Sequence, residues 1–225
     1  MKNTAKQFSK QGGRTRGFTL LEVLVVLAVT AILMAFAVPQ FQRVTQALRI
    51  SGDMRDITGT IGQAKMHAAA DFTHARARAN LAANTFQLEI WNKAGAGGAG
   101  CWQTVGDPAN PCTVGTSPVQ LLSSGVTFGF GAMGAPPPNT QAALAQAAVC
   151  QIGYGGGPAR GTIGGTACIE FNSRGLAIDA AGAPNGNGAF YVNNGNMVYG
   201  VTMAAAGPPL NWSGQDAANS GWYNQ

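Results

Sequence analysis

The chain has 225 residues and a formal net charge of +5, yet only 10% of its residues are charged, against about a quarter in a usual soluble domain. All of the excess lies in residues 1–17, which hold Lys2, Lys6, Lys10, Arg14, Arg16 and no acid; the other nine Lys/Arg balance nine Asp/Glu. The basic balance is therefore no argument that the rest of the chain binds nucleic acid.

Residues 1–17, with Gly12-Gly13 inside, read as a leader without a fold of its own. Residues 18–38, FTLLEVLVVLAVTAILMAFAV, follow with a single charged side chain, Glu22. As a helix this run would be roughly 31 Å long, enough for a bilayer core of about 30 Å. The basic flank should stay cytoplasmic and the chain beyond Pro39 should lie across the membrane. Taken alone, the run fits a single-pass anchor. Ala35-Phe36-Ala37 also offers a small-x-small site for a secretory signal, but the run exceeds the ~7–15 residues of a signal core.

Pro39 removes a backbone donor and predicts a kink or local opening. Phe41, Val44, Leu48 and Ile50 continue an apolar stripe, and Ser51-Gly52-Asp53 should break the helix or cap a new one. Met54, Ile57, Ile61 and Ala64 recur at helical spacing towards Ala70, as a spine for a sheet would. His67 reads as a surface histidine on that helix.

Near Phe72 the period becomes two. Thr73, Ala75, Ala77, Ala79 and Leu81 alternate with His74, Arg76, Arg78 and Asn80, predicting a strand with one polar face. After Ala82-Ala83-Asn84, the residues Phe86, Leu88 and Ile90 alternate with Gln87, Glu89 and Trp91 to complete an antiparallel hairpin. Glu89 should face Arg76 or Arg78 as an exposed pair contributing at most about 1 kcal/mol. A Gly-rich loop at 94–100 precedes a short strand at 101–105. Strands at 119–122 and 126–130 should pair with each other, and 140–148 should form a short helix. Strands at 167–171, 176–178, 189–192 and 197–203, separated by Asn/Gly turns, predict an antiparallel meander with 210–212 as its last edge. The Gly/Pro-rich insertions at 94–118 and 131–166 have no assigned role.

Cys101, Cys112, Cys150 and Cys168 form no C-x-x-C pair and lie far from His67 and His74, so metal-ligand spacing is absent and no metal or cofactor is expected. In an oxidising compartment disulfides are expected, with Cys101–Cys112 and Cys150–Cys168 favoured because each closes a short loop. Gly129-Phe130-Gly131-Ala132-Met133-Gly134 fits G-x-G-x-x-G, but prolines follow where a nucleotide-binding helix should start. No catalytic constellation is present. Arg76, Arg78, Arg160 and Arg174 are the candidates for phosphate contacts should the fold gather them.

The join of leader and apolar run carries a specific pattern. Gly17-Phe18-Thr19-Leu20-Leu21-Glu22, after a basic leader and before Pro39, resembles the processing site of type IV prepilins and type II secretion pseudopilins. The resemblance implies a prepilin peptidase that cuts after Gly17, methylation of the new amine on Phe18, and an assembly contact through Glu22. Phe86-Gln87-Leu88-Glu89, the 124–128 segment and Phe171-Asn172-Ser173-Arg174-Gly175, with strands beyond, resemble the pseudopilin H family, which includes FimT-like minor pilins. The implied fold is α+β, a long N-terminal hydrophobic spine helix on antiparallel sheets. The implied organisation is a leader at 1–17, a membrane and assembly helix at 18–47, and a periplasmic or extracellular domain at 48–225. The implied role is that of a structural subunit, not an enzyme. It would sit in the bacterial inner membrane or in an assembled pilus or pseudopilus, with other pilin subunits as partners. DNA capture, as in FimT-like pilins linked to DNA uptake, is the alternative.

Overall fold

The computed structural model describes residues 17–106, 112, 118–133, 146–158, 160–186, 188–215 and 221–225. One helix, α1 (Leu20–Ala70), is followed by short antiparallel strands, an α+β arrangement. The chain divides into two compact units, Met1–Val44 and Thr45–Gln225.

The helix is continuous through Pro39 and through Ser51-Gly52; the expected opening and the expected break are both absent. A helical glycine costs about 1 kcal/mol relative to alanine. Against that cost, Ile50 and Met54 on either side of Gly52 are buried, and each buried aliphatic side chain returns about 1.5–3 kcal/mol. At Gly52, packing overrides the local signal. The buried stripe runs Ile50, Met54, Ile57, Ile61, Ala64, Ala68, the spacing of one helix face.

Two sheets share that stripe. The first runs β3 (Cys101–Thr104), β2 (Thr85–Asn92), β1 (Ala75–Asn80), β6 (Thr166–Phe171), β7 (Ala177–Ile178), with β4 (Gln120–Leu121) also on β2. The second runs β11 (Tyr223–Asn224), β10 (Pro209–Gln215), β9 (Met197–Met203), β8 (Gly188–Asn193), β5 (Thr127–Phe128). The segments predicted at 119–122 and 126–130 thus do not pair with each other; they join different sheets. Nor is β10 the edge, because β11 pairs with Trp212 and Ser213. The helix predicted at 140–148 falls mostly outside the described residues, and 146–148 is not helical.

Register explains the core. Ala77 lies opposite Leu88 on one side and Ile169 on the other, and Ala75 opposite Ile90 and Phe171. The alanines of β1 let α1 approach while Phe190, Val192, Val201 and Met203 of the second sheet complete one cluster. Lys65 Nζ donates to the Gly207 carbonyl at 2.9 Å and Thr58 Oγ1 to Asn211 Oδ1 at 2.8 Å, fixing the helix against the 203–211 region. Asp53 accepts from the Ser123 N–H at 2.9 Å and its hydroxyl at 2.8 Å; burial still pushes its carboxyl above the usual range. On the outer face of the second sheet, Ala189 and Tyr191 pack with Phe130 and Trp222, and burial pushes the Tyr191 hydroxyl up to about 12.

The insertion at 131–166 acquires a role. Its segment 146–163, described except for residue 159, crosses the outer face of the first sheet as a strap. At one end the Gln146 side-chain amide substitutes for a strand, donating to the Tyr191 carbonyl at 2.7 Å and accepting its N–H at 3.0 Å. The Cys168 N–H donates to the Ala148 carbonyl at 2.9 Å, and the Cys150–Cys168 disulfide fastens the same point. Further on, the strap offers its Gln151 carbonyl to Arg76 and its Gly153 carbonyl to Trp102. Gly155 passes so close to the Asp179 carbonyl that a Cβ would collide with it. The second disulfide joins Cys101 to Cys112.

Closing a loop of this length stabilises by about 3 kcal/mol. The paired Cys150→Ala/Cys168→Ala variant is therefore expected to lose about 2–4 kcal/mol in a urea titration of the full chain. An unchanged midpoint would show that the strap is held without the bond.

Candidate functional site

Two places concentrate chemistry. The first is the start of α1. Gly17, Phe18 and Thr19 precede the helix and are exposed, Phe18 to 82%. Thr19 is the cap: its Oγ1 accepts the Glu22 N–H at 3.2 Å and its carbonyl accepts the Val23 N–H at 3.2 Å. A helix start has unsatisfied N–H groups and a partial positive charge, so a hydroxyl acceptor and an acid in the first turn both suit it. Glu22 is that acid. The T-x-x-E spacing is a capping signature, and Thr19 is the capping residue at this start that went unread although the signal was present.

Beyond Glu22 the apolar run presents its side chains outward; the most apolar 18-residue window is 0% buried. Thr30, its polar side chain, returns its hydroxyl to the Val26 carbonyl at 2.9 Å, so that donor is satisfied within the helix.

The second place is the outer face of β1 and β2 beneath the strap. The predicted polar face is not solvated. Arg76 and Glu89 are 0% exposed and Arg78 is 7% exposed. Arg76 Nε donates to Glu89 Oε2 at 2.5 Å, Arg78 Nη1 to Glu89 Oε1 at 3.1 Å, and Gln87 Nε2 to Glu89 Oε1 at 2.6 Å. The Arg76 guanidinium lies 3.9 Å from the Trp102 ring centre and donates to the Gln151 carbonyl at 2.6 Å. Burial lowers the Arg76 pKa and the Glu89 carboxylate opposes that shift. The exposed, weak pair expected from alternation is thus a buried three-charge cluster, because the strap supplies a second layer that alternation alone cannot reveal. At its far end Glu170 Oε1 accepts from Gly155 N–H at 2.8 Å and contacts His74 Nδ1 at 2.9 Å.

Of the four candidate arginines, Arg76 and Arg78 are therefore committed to the interior. Arg160 and Arg174 are exposed, and Arg160 donates to the Gly100 carbonyl at 3.0 Å and to that of Ala99. His67 is half-buried on α1, 2.9 Å from Asp71. The described part of the G-x-G-x-x-G stretch is a turn: the Gly129 N–H donates to the Tyr191 carbonyl at 2.8 Å and the Met133 N–H to the Phe130 carbonyl at 3.2 Å. Gly134 lies outside the described residues.

Residues 13–38 match a family described as the prokaryotic N-terminal methylation motif. No curated protein and no solved structure matches the chain. The matched span runs from the basic flank across Gly17, Phe18 and Glu22 to the end of the apolar run. The chain therefore carries a type IV prepilin-like methylation motif on a long N-terminal apolar helix. Such a motif fits a type IV pilin or pseudopilin, a structural subunit that is membrane-anchored or pilus-associated.

Proposed function

We propose that the chain is a minor pilin or minor pseudopilin, most similar to the pseudopilin H and FimT-like group. A prepilin peptidase cuts between Gly17 and Phe18 at the cytoplasmic face, and the Phe18 amine is methylated. Residues 18–47 then hold the subunit in the inner membrane and carry it into a helical bundle of other pilin subunits. Residues 48–225 form the periplasmic or extracellular domain. The observation that carries this reading is the coincidence of the methylation motif with a capped helix start whose apolar window is wholly exposed. An isolated helix that exposes so much apolar surface needs lipid or neighbouring helices around it.

The test is intact-mass measurement of protein extracted from membranes. Loss of residues 1–17 with one added methyl group is expected. A mature N-terminus at Val38 would instead make the run a secretory signal. DNA capture remains the rival function, and it now has to work without Arg76 and Arg78 at the surface.

A further inference from the structure

The helix α1 ends on a residue that packing does not account for. Phe72 follows the last turn in the left-handed region, with φ 49°, and the Thr73 N–H donates past it to the Ala68 carbonyl at 3.2 Å. That position in a helix ending is usually glycine, because a side chain there is strained. Burial of the ring could offset the strain, but Phe72 is 76% exposed. The chain thus carries a strained backbone and an exposed aromatic ring at one residue. Strain that a fold retains clusters at ligand clamps and switch regions.

Phe72 forms one wall of a cleft of about 270 Å³, whose other lining residues are Thr73, His74, Trp91, Lys93, Tyr154 and Ser173. The aromatic wall is held in place. The Tyr154 ring centre lies 4.5 Å from that of His74 and 5.1 Å from that of Trp91, and His74 Nδ1 is 2.9 Å from Glu170. The volume is below the roughly 300–1,000 Å³ of small-molecule pockets and suits a single bulky side chain. Uncommitted charge at the rim is positive. Lys93 and Arg174, the neighbour of Ser173, are exposed, and neither has an ion-pair partner among the described residues. Lys93 Nζ donates to the Phe72 carbonyl at 3.2 Å, which leaves two of its three donors. The nearby acids are engaged, Glu170 by His74 and the Gly155 N–H and Asp71 by His67. Single-stranded nucleic acid would need a groove of cations along its backbone and successive stacking rings; this cleft has one exposed ring, and Asp71 lies beside Lys93 at its edge.

We propose that this cleft is the docking site for an acidic peptide segment of a partner protein. One aromatic or large aliphatic side chain of the segment fills the cleft against Phe72, and the carboxylates on either side of it meet Lys93 and Arg174. Docking covers the Phe72 ring, and the Lys93 bond to its carbonyl sets the ring in position beforehand, which lowers the ordering cost of binding.

The test is fluorescence anisotropy with the full chain in detergent and a labelled peptide that has one tryptophan between pairs of aspartates. Empty micelles, the same peptide with alanine for tryptophan, the same peptide with lysine for aspartate, and a labelled oligothymidylate are the comparisons. Saturable binding of the aspartate–tryptophan peptide alone is expected. Phe72→Gly should weaken it by about tenfold, the upper range of one aromatic contact, while its thermal midpoint stays equal or rises, since glycine suits the conformation. Lys93→Gln/Arg174→Gln should weaken binding several-fold and flatten its salt dependence. No binding beyond empty micelles would overturn the proposal, as would equal binding of the alanine or lysine peptide, or unchanged affinity in Phe72→Gly. Tighter binding of the oligothymidylate would assign the cleft to nucleic acid instead. A lowered midpoint for Phe72→Gly would show that the ring serves the fold, and would equally refute the site.

Discussion

Glu89→Ala is expected to destabilise the folded chain by about 3–5 kcal/mol, the cost of leaving buried charge unpaired. The carboxylate is wholly buried and accepts from Arg76, Arg78 and Gln87. Its removal takes from Arg78 its carboxylate partner among the described residues and leaves Arg76 with Glu170, opposite it on β6, as its nearby counter-charge. Glu89→Gln should cost nearly as much, because it keeps the volume and loses the charge. The triple change Arg76→Met/Arg78→Met/Glu89→Leu should recover most of the loss, since a buried cluster replaced whole by apolar groups is often neutral. Urea midpoints of the full chain in detergent, compared at constant m, give the measurement. A loss below about 1 kcal/mol for Glu89→Ala would place the pair among exposed salt bridges and contradict the burial.

The second large effect concerns assembly. Under the proposed function, Glu22→Ala should insert and be cut normally, while its ratio of assembled to membrane-pool protein falls roughly tenfold or more. An acid near the end of a membrane span needs a partner or must lose its charge. Cleavage would create a cation on Phe18 of a neighbouring subunit, and a charge-assisted hydrogen bond of about 1.5–3 kcal/mol corresponds to at least that ratio. The helix start offers a useful control. It is the Glu22 backbone N–H that bonds to Thr19, so alanine keeps that bond. Only the dipole interaction of the side chain is lost, about 0.3–1 kcal/mol. Normal incorporation of Glu22→Ala, with cleavage verified in both proteins, would sink the assembly role.

The elements that were legible in the sequence are those specified by short-range pattern. The spine showed in Met54, Ile57, Ile61 and Ala64, and the hairpin in the switch of period near Phe72. The meander showed in the Asn/Gly turns around β8 and β9. Most of what failed depended on distant chain. Gly52 looked like an interruption because local cost is visible in sequence and the packing of Ile50 and Met54 is not; the helix also runs on through Pro39, where Val38 and Phe41 are exposed and packing gives no reason for it. Alternation in β1 separates two faces but cannot say that a strap seventy residues later will cover the polar one. Likewise 119–122 and 126–130 look like partners by proximity, and the actual partners, β2 and β8, are chosen by sheet topology. At the candidate processing site the pattern at Gly17, Phe18 and Glu22 was plain. Thr19 went unnoticed because its part is backbone capping rather than charge.

The Thr19 cap bears on how a subunit could leave the bilayer. Both hydrogen bonds that open α1 involve Thr19, Glu22 and Val23, all downstream of the proposed cut, and Gly17 and Phe18 are outside the helix. A peptidase would therefore meet a bond outside the helix and would not have to unwind a turn. Nor do the bonds from Glu22 and Val23 to Thr19 depend on residues 1–17. What changes is adhesion. Five Lys/Arg near an anionic cytoplasmic leaflet hold a chain by about 1 kcal/mol each, on the order of 5 kcal/mol in total, and one terminal amine retains only a fraction of that. Cleavage would act as a release step, timing extraction from the membrane.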